Sequence, residues 1–127
     1  MNLYEVASKV DARILTPTLD LSREVYCAYG ADLLSDVLAF TRPHTLLLTG
    51  LFNLQVVRTA EVAELAGIIV VRGKTVDQSL LDLACASRIP ILQTKLTMFE
   101  SCGRLYQVGM LPCSKDVECV NNVCHPM

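Results

Sequence analysis

The sequence predicts an α/β fold in which helices cover both faces of a four- or five-stranded, mostly parallel sheet. The first observation is that short apolar runs ending in turn residues, such as Thr45–Leu48 before Thr49 and Gly50, alternate with segments of helical periodicity. The second is the run Ile68–Val71, four β-branched residues in succession, which is typical of a strand buried on both faces. Right-handed crossovers between parallel strands place helices on both faces, which gives three layers.

Five segments have the composition of strands. Thr45–Leu48 is the expected central strand, because it is apolar after a β-branched start and is bounded by turn residues. A brief earlier strand ends before Pro17, since proline has no amide hydrogen to donate to a sheet. Tyr29 and Gly30 are expected to turn the chain out of the strand that precedes the central one. The predicted strands cover residues 13–15, 24–28, 45–48, 68–71 and 89–93.

Five further segments have apolar residues at helical spacing. They cover residues 3–10, 33–41, 54–65, a stretch that opens at residue 75, and a stretch from 98 to 106. The residues expected to cap the last four helices at their N-termini are Asp32, Asn53, the pair Thr75 and Gln78, and the pair Thr97 and Glu100. Gly67 and Gly109 are expected to end the third and fifth helices.

Composition restricts the partners and the location of this chain of 127 residues. Eleven Lys and Arg residues against thirteen Asp and Glu give a net charge of −2, so we expect no nucleic-acid partner. No run of 18 apolar residues and no signal-type apolar core occur, so we expect a cytoplasmic protein with no membrane partner. Apolar residues make up 52%, which predicts a homo-oligomer, a dimer being favoured; a well-filled core is the alternative explanation.

A ligand site is expected beyond the carboxyl ends of the parallel strands, where glycines admit a ligand to the backbone and helix N-termini attract anions. Lys74 and Lys95 are expected to add positive charge there. The ligand would be a small anion or a nucleotide; ordinary turn and cap residues are the alternative. The residues selected are Tyr29, Gly30, Asp32, Thr49, Gly50, Asn53, Gly73, Lys74, Thr75, Thr94, Lys95 and Thr97.

No complete catalytic motif is present, so we expect a protein that is not an enzyme. Gly73, Lys74 and Thr75 resemble the end of a phosphate-binding loop, but five residues rather than four separate Gly73 from Gly67. The intervening run is a buried strand and cannot curl around a phosphate. Asp32 and Asp36 lie four residues apart on one helix, but nothing near them supplies a nucleophile or a cofactor.

The cysteines of the C-terminal tail form the only cluster of potential metal ligands in the sequence. Cys113, Cys119, Cys124 and His125, with Cys102 before them, could hold a metal ion or an iron–sulfur cluster, although their spacings are longer than usual. A redox-active thiol pair and a purely structural tail are the alternatives. Cys27 and Cys85 fall at core positions and are expected to act as small apolar residues.

The segment Asp32-Leu33-Leu34-Ser35-Asp36-Val37 resembles the DRTGG-domain family, which is similar to the N-terminal domain of HPr kinase/phosphorylase. Further resemblances are Tyr29, the Thr49-Gly50 pair, Ile89-Pro90-Ile91-Leu92, and Thr97-Met98-Phe99-Glu100. The resemblance covers Leu3 to Leu111 and implies a Rossmann-like fold, self-association and non-catalytic regulatory use. Small stand-alone relatives tend to be encoded beside iron-hydrogenase genes.

We therefore expect a DRTGG-like domain at residues 1–111 and a cysteine-containing tail at 112–127. The expected function is that of a regulatory or sensory domain, which self-associates and binds a small anionic ligand or a partner protein. The alternative is a redox, metal or iron–sulfur accessory protein, associated with a hydrogenase and using the C-terminal cysteines.

Overall fold

The structure, a computed structural model, describes residues 1–113 and, as backbone only, two strands beyond them. The helices are α1 (Leu3–Lys9), α2 (Leu34–Phe40), α3 (Leu54–Val62), α4 (Gln78–Ala86) and α5 (Met98–Gln107). The strands are β1 (Arg13–Ile14), β2 (Cys27–Gly30), β3 (Thr45–Thr49), β4 (Gly67–Val70), β5 (Ile91–Gln93), β6 (Val117–Val120) and β7 (Val123–Pro126).

Five of these strands form one sheet, in the order β1-β5-β4-β3-β2. Strands β2 to β5 run parallel, and β1 pairs with the edge of β5 in the antiparallel direction. The predicted four- to five-stranded, mostly parallel sheet is confirmed. Strands β6 and β7 form a separate antiparallel pair, in which Cys119 is the register partner of Cys124.

The core lies on both faces of the sheet, because successive residues of each parallel strand point to opposite sides. Leu46 and Leu48 pack with α1 and α5 on one face. Leu47 packs with α2, α3 and α4 on the other. All five residues of β3 are buried, because β2 and β4 flank it and helices cover both faces of the sheet. The prediction that this segment is the central strand is wrong, since the middle strand of the five is β4. The predicted fold class is confirmed.

Two predicted N-caps are confirmed. The Asn53 side chain accepts a hydrogen bond from the Val56 amide at the start of α3, and Thr97 accepts one from the Glu100 amide at the start of α5. Each side chain satisfies an amide that has no partner inside its helix.

Two other predicted caps are wrong. Helix α2 follows Leu33 with no side-chain cap, because the Asp32 carboxylate is bound elsewhere. Helix α4 is capped by Asp77, whose carboxylate accepts from the Ser79 amide, and Thr75 lies in the loop before it. The chain leaves β4 through left-handed residues and becomes helical two positions later than the Thr75 prediction requires.

Two turn predictions are also wrong. Gly67 does not end α3; it is the first residue of β4 and pairs with Leu46, because the chain already turns at Glu64, where φ is 55°. Tyr29 and Gly30 do not turn the chain; parallel pairing with β3 extends β2 through Gly30. The prediction that Gly109 follows the end of α5 agrees with its φ of 96°.

Among the described residues, none of the helices is both long enough and apolar enough to cross a bilayer.

Candidate functional site: a cleft at the carboxyl ends of the strands

The connections that follow the parallel strands diverge at one point of the sheet. Strands β2, β3 and β4 lead into α2, α3 and α4 on one face, whereas β5 leads into α5 on the opposite face. Neighbouring strands whose connections leave to opposite faces create a crevice beyond their carboxyl ends. In this sheet that point lies between β4 and β5.

The loops after β4 and β5 are hydrogen-bonded to each other at this point. The Arg72 amide donates to the Leu96 carbonyl and the Gly73 amide donates to the Thr94 carbonyl, both at 2.8 Å. Arg72 and Gly73 both have left-handed backbones, with φ of 66° and 62°. A left-handed arginine is uncommon and is maintained here by the surrounding bonds. The paired loops leave one cleft on each side.

The first of these, the Arg72 cleft, has a volume of about 470 Å³. It opens above β2, β3 and β4 beside the N-terminus of α5. The lining residues that bear on ligand binding are Gly30, Asp32, Gly50, Arg72, Thr97 and Phe99.

Asp32 supplies a fixed negative charge in the Arg72 cleft. Its Oδ1 accepts a hydrogen bond from the Gly50 amide at 2.8 Å and another from the Thr49 hydroxyl at 2.9 Å. These two bonds, helped by the charges of Arg72 and Lys74, hold the pKa of the Asp32 carboxyl below its usual value. The carboxylate therefore stays ionised, with its second oxygen left for a ligand hydroxyl.

Arg72 supplies the positive charge. A Cβ atom at residue 50 would lie 2.5 Å from the Arg72 Nη2 atom, so the guanidinium occupies space that only a glycine leaves open. Within residues 1–113, the Arg72 side chain forms no ion pair with an acidic group. Its planar set of donors can therefore meet an anionic group of a ligand.

The N-terminus of α5 forms the third side of the Arg72 cleft. Thr97 caps the helix, and Phe99 in the first turn is 89% exposed. First-turn amides carry partial positive charge and attract anions. An exposed aromatic ring beside them offers a flat surface for stacking.

The second cleft, the Lys95 cleft, is larger, at about 860 Å³, and lies on the β1 side of the paired loops. Arg13 and Lys95 give it positive charge, and Gly73 and Thr75 form part of its wall. Thr94 also lines it, but the Thr94 hydroxyl is buried and donates to the Val10 carbonyl, so it is a structural group.

The residues predicted from sequence are divided between the two clefts. Gly30, Asp32, Gly50 and Thr97 line the Arg72 cleft, and Gly73, Thr75, Thr94 and Lys95 line the Lys95 cleft. The other four do not line either cleft. Thr49 supports Asp32, and Asn53 caps α3. The Lys74 carbonyl accepts a hydrogen bond from the side-chain amide of Gln93, and the centroid of the Tyr29 ring lies 6.4 Å from that of Phe40.

The sequence places Arg72 at the end of a strand, but the positive charge is assigned to Lys74 and Lys95, and Arg72 and Phe99 are not in the selected set. The position of Arg72 directly after a buried strand is a usable signal, because such residues lie at the carboxyl edge of the sheet. Phe99 carries no such signal, since an aromatic residue in a helix is more often part of the core.

Two of the cysteines considered as metal ligands lie on opposite faces of the sheet. Cys102 packs with the cluster on the α1 and α5 face. The Cys113 thiol contacts Thr45, which points to the same face as Leu47, towards α2. Within residues 1–113, no three His, Cys, Asp or Glu side chains are grouped as metal ligands. The side chains of Cys119, Cys124 and His125 lie outside the described residues.

No protein-family model and no curated protein matches this sequence. A solved structure does: the CBS and DRTGG domains of the regulatory region of Clostridium perfringens pyrophosphatase, complexed with its activator, diadenosine tetraphosphate. The TM-score is 0.69 at 15% sequence identity. The fold is DRTGG-like. The match covers 92% of this chain and 52% of the other, so this DRTGG-like chain spans about half the length of its neighbour.

Proposed function

We propose that this DRTGG-like chain is a regulatory module that binds a small anionic ligand of the nucleotide class in the Arg72 cleft. The observation that carries the proposal is the Arg72 guanidinium, which occupies the space above Gly50 without an acidic partner in residues 1–113. It lies beside the amides that begin α5.

Each part of a nucleotide has a chemical counterpart in the cleft. Phosphate oxygens accept hydrogen bonds from Arg72 and from the first-turn amides of α5. The ring of Phe99 provides a stacking surface for the base. The ionised Asp32 carboxylate accepts a hydrogen bond from a sugar hydroxyl. A simple anion would use only the first of these contacts and would be repelled by Asp32.

The solved neighbour supports the ligand class. Its regulatory region is complexed with an activator, diadenosine tetraphosphate, which carries both adenine bases and phosphates. This compound is therefore the first ligand to test on the present chain.

Ligand binding needs no catalysis. Asp32 is held by Gly50 and Thr49, and the cleft's other polar residues are donors and caps rather than a nucleophile paired with a base. The regulatory effect of a bound ligand would be transmitted through the paired loops and α5. The expected cytoplasmic location and an additional protein partner stay predictions.

We also propose that the module self-associates through α5. Phe99, Gly103 and Tyr106 follow one another at helical spacing on its outer side, and Phe99 and Tyr106 are 89% and 72% exposed. A Cβ added at Gly103 would meet nothing within 4 Å, so a second helix can approach closely between the two rings.

The proposed occupant of this face is a second copy of α5 in the antiparallel orientation. Arg104 is paired with Asp11 and Glu100 within one chain, so apolar contact rather than charge carries the proposal. Antiparallel packing of two copies sets Phe99 of each beside Tyr106 of the other across Gly103, which makes the face self-complementary in shape.

Isothermal titration with diadenosine tetraphosphate, ATP, AMP and inorganic phosphate tests the ligand proposal. We expect diadenosine tetraphosphate or ATP to bind and Arg72→Ala to weaken binding by about 10- to 100-fold, the usual effect of losing a hydrogen bond to a charged group. The matched control is Arg58→Ala, since Arg58 is exposed on α3 away from both clefts.

Gly50→Ala tests the same geometry without removing a charge. The new methyl group would displace the guanidinium, which is the end of a flexible side chain, so folding should persist while affinity falls. Absence of binding by every nucleotide would refute the proposal. Loss of binding in Lys95→Ala but not in Arg72→Ala would also refute it, because it would assign the ligand to the other cleft.

The redox alternative has one observation in its favour: Cys113 lies beside Cys27, a residue that sequence reasoning treats as core. The metal version depends on Cys119, Cys124 and His125 and stays a prediction, which elemental analysis of protein prepared without oxygen would test.

A further inference from the structure

Cys27 and Cys113 lie together at the edge of the sheet. The segment 111–113 runs parallel to β2, with the Ala28 amide donating to the Leu111 carbonyl and the Cys113 amide donating to the Ala28 carbonyl. Ala28 and Pro112 are register partners, so Cys27 and Cys113, on either side of this pair, point to the same face.

A single hydroxyl group contacts both sulfur atoms. The Thr45 Oγ1 atom lies 3.3 Å from the Sγ of Cys27 and 3.1 Å from the Sγ of Cys113. Cys27 is fully buried and Cys113 is 7% exposed. The two thiols are therefore close neighbours in a site from which bulk water is largely excluded.

Arg42 completes the cluster. Its Nε atom is buried and has no hydrogen-bond partner among the described residues. A buried donor without a partner is costly, unless the group that it faces becomes an acceptor. A negatively charged sulfur atom would be such an acceptor. The Arg42 side chain acts on the pKa of Cys27 as a hydrogen-bond donor, and the Arg42 amide and charge both lower the pKa of Cys113.

The two thiols differ in acidity because only one of them can carry a charge in this space. A hydrogen bond from Cys27, with Thr45 and Arg42, lowers the pKa of the Cys113 thiol. The bond with Cys113 and burial raise the pKa of the Cys27 thiol. Burial also raises the pKa of Cys102, which has no such partners. Cys113 is also the less buried of the two, at 7% exposure against 0% for Cys27, so it is the thiol that a reagent reaches first, and we assign it as the nucleophile and Cys27 as its partner.

We propose that Cys113 and Cys27 form a hydroperoxide-sensitive thiol pair that closes to a disulfide and ties the segment after α5 to β2. The Cys113 thiolate attacks a peroxide oxygen; the O–O bond breaks, an S–O bond forms, and hydroxide leaves from hydrogen peroxide. The Cys27 thiol then attacks the Cys113 sulfenic acid. An S–S bond forms, the S–O bond breaks, and the thiol proton leaves with the hydroxyl group as water.

The proposal of a thiol pair is independent of the proposal of ligand binding, since neither Cys27 nor Cys113 lines the Arg72 cleft. Its consequence is local: a disulfide across a long loop of chain restricts the unfolded state, so the oxidised protein should unfold at a higher temperature. Reduction by a dithiol through two exchange steps would reverse it.

Peptide mapping of the full chain tests whether Cys27 and Cys113 form a disulfide. Reduced protein is treated with equimolar hydrogen peroxide, blocked with N-ethylmaleimide in denaturant and digested. We expect a Cys27–Cys113 disulfide peptide, formed equally in the control variant Cys102→Ser. In Cys27→Ser, dimedone should label the sulfenic acid at Cys113. Arg42→Gln should slow disulfide formation at least tenfold relative to Arg58→Gln, with the far-ultraviolet spectrum unchanged.

Mapping also covers the alternative bond between Cys119 and Cys124, which are register partners in β6 and β7. The proposal is overturned if that bond or oxidation of Cys102 appears at peroxide doses that leave Cys27 and Cys113 reduced. It is equally overturned if Arg42→Gln and Arg58→Gln close the disulfide at the same rate.

Discussion

Asp32 has the residue type and position of a helix cap, yet its carboxylate bonds to the Gly50 amide and the Thr49 hydroxyl at the end of β3. Both functions use the same chemistry, a carboxylate that accepts from an amide. The choice between them depends on which amide lies nearby in the folded chain. At this scale the sequence identifies a hydrogen-bond acceptor but not its partner.

This bonding predicts a pH-dependent contribution to stability. The pKa of Asp32 is lower in the folded chain than in the unfolded one, so its contribution is present above the unfolded pKa of about 3.9 and disappears as pH falls through the folded pKa. We expect Asp32→Asn to lower the melting temperature near pH 7, and the difference from wild type to shrink as pH falls below about 4.

The control for that measurement is Asp36→Asn, which removes a charge from the same region and leaves the bonds to Gly50 and Thr49 in place. A difference between wild type and Asp32→Asn that stays constant with pH would show that the carboxylate charge is not what stabilises the fold.

At the scale of elements, α4 shows how a start signal can be misread. Thr75 followed by Gln78 matches a capping box, and Asp77 followed by Ser79 matches a simple cap. The loop that leaves β4 through the left-handed Arg72 and Gly73 decides between them, because it delays the first helical turn. The helix therefore begins after Asp77.

Two alanine substitutions should separate these caps. Asp77→Ala removes the acceptor of the Ser79 amide and should lower the free energy of unfolding by about 1 kcal/mol. Thr75→Ala changes an exposed loop residue and should alter it by no more than about 0.5 kcal/mol. Urea denaturation of both variants measures the difference; an equal or larger loss in Thr75→Ala would mean that α4 begins earlier.

At the scale of the whole molecule, most of the apolar residues fill the two cores on either side of the sheet. Others remain exposed on α2, α3 and α5, and the two most exposed aromatic rings, Phe99 and Tyr106, lie on α5. Composition alone predicts an oligomer but not its surface. The surface follows from α5, whose inner side buries Leu105 and Ser101 and whose outer side carries Phe99 and Tyr106.

Size-exclusion chromatography with light scattering should show the self-association. We expect wild type to be a dimer and Tyr106→Glu to be a monomer at the same concentration, because a charge would be buried in an apolar contact. Val62→Glu is the matched control: Val62 is 75% exposed on α3, on the other side of the sheet. A monomeric wild type, or an equal effect of both variants, would contradict self-association through α5.

The sequence by itself determined the alternation of strands and helices, the buried β3 and β4, and the edge of the sheet at which the parallel strands end. These features follow from local periodicity and from the rule that parallel strands end at one edge. Only the tertiary structure decided that Arg72 lies over Gly50, that Asp32 bonds to β3, and that Cys27 lies beside Cys113. Each of these contacts joins residues far apart in the chain, and no local pattern records which strands become neighbours.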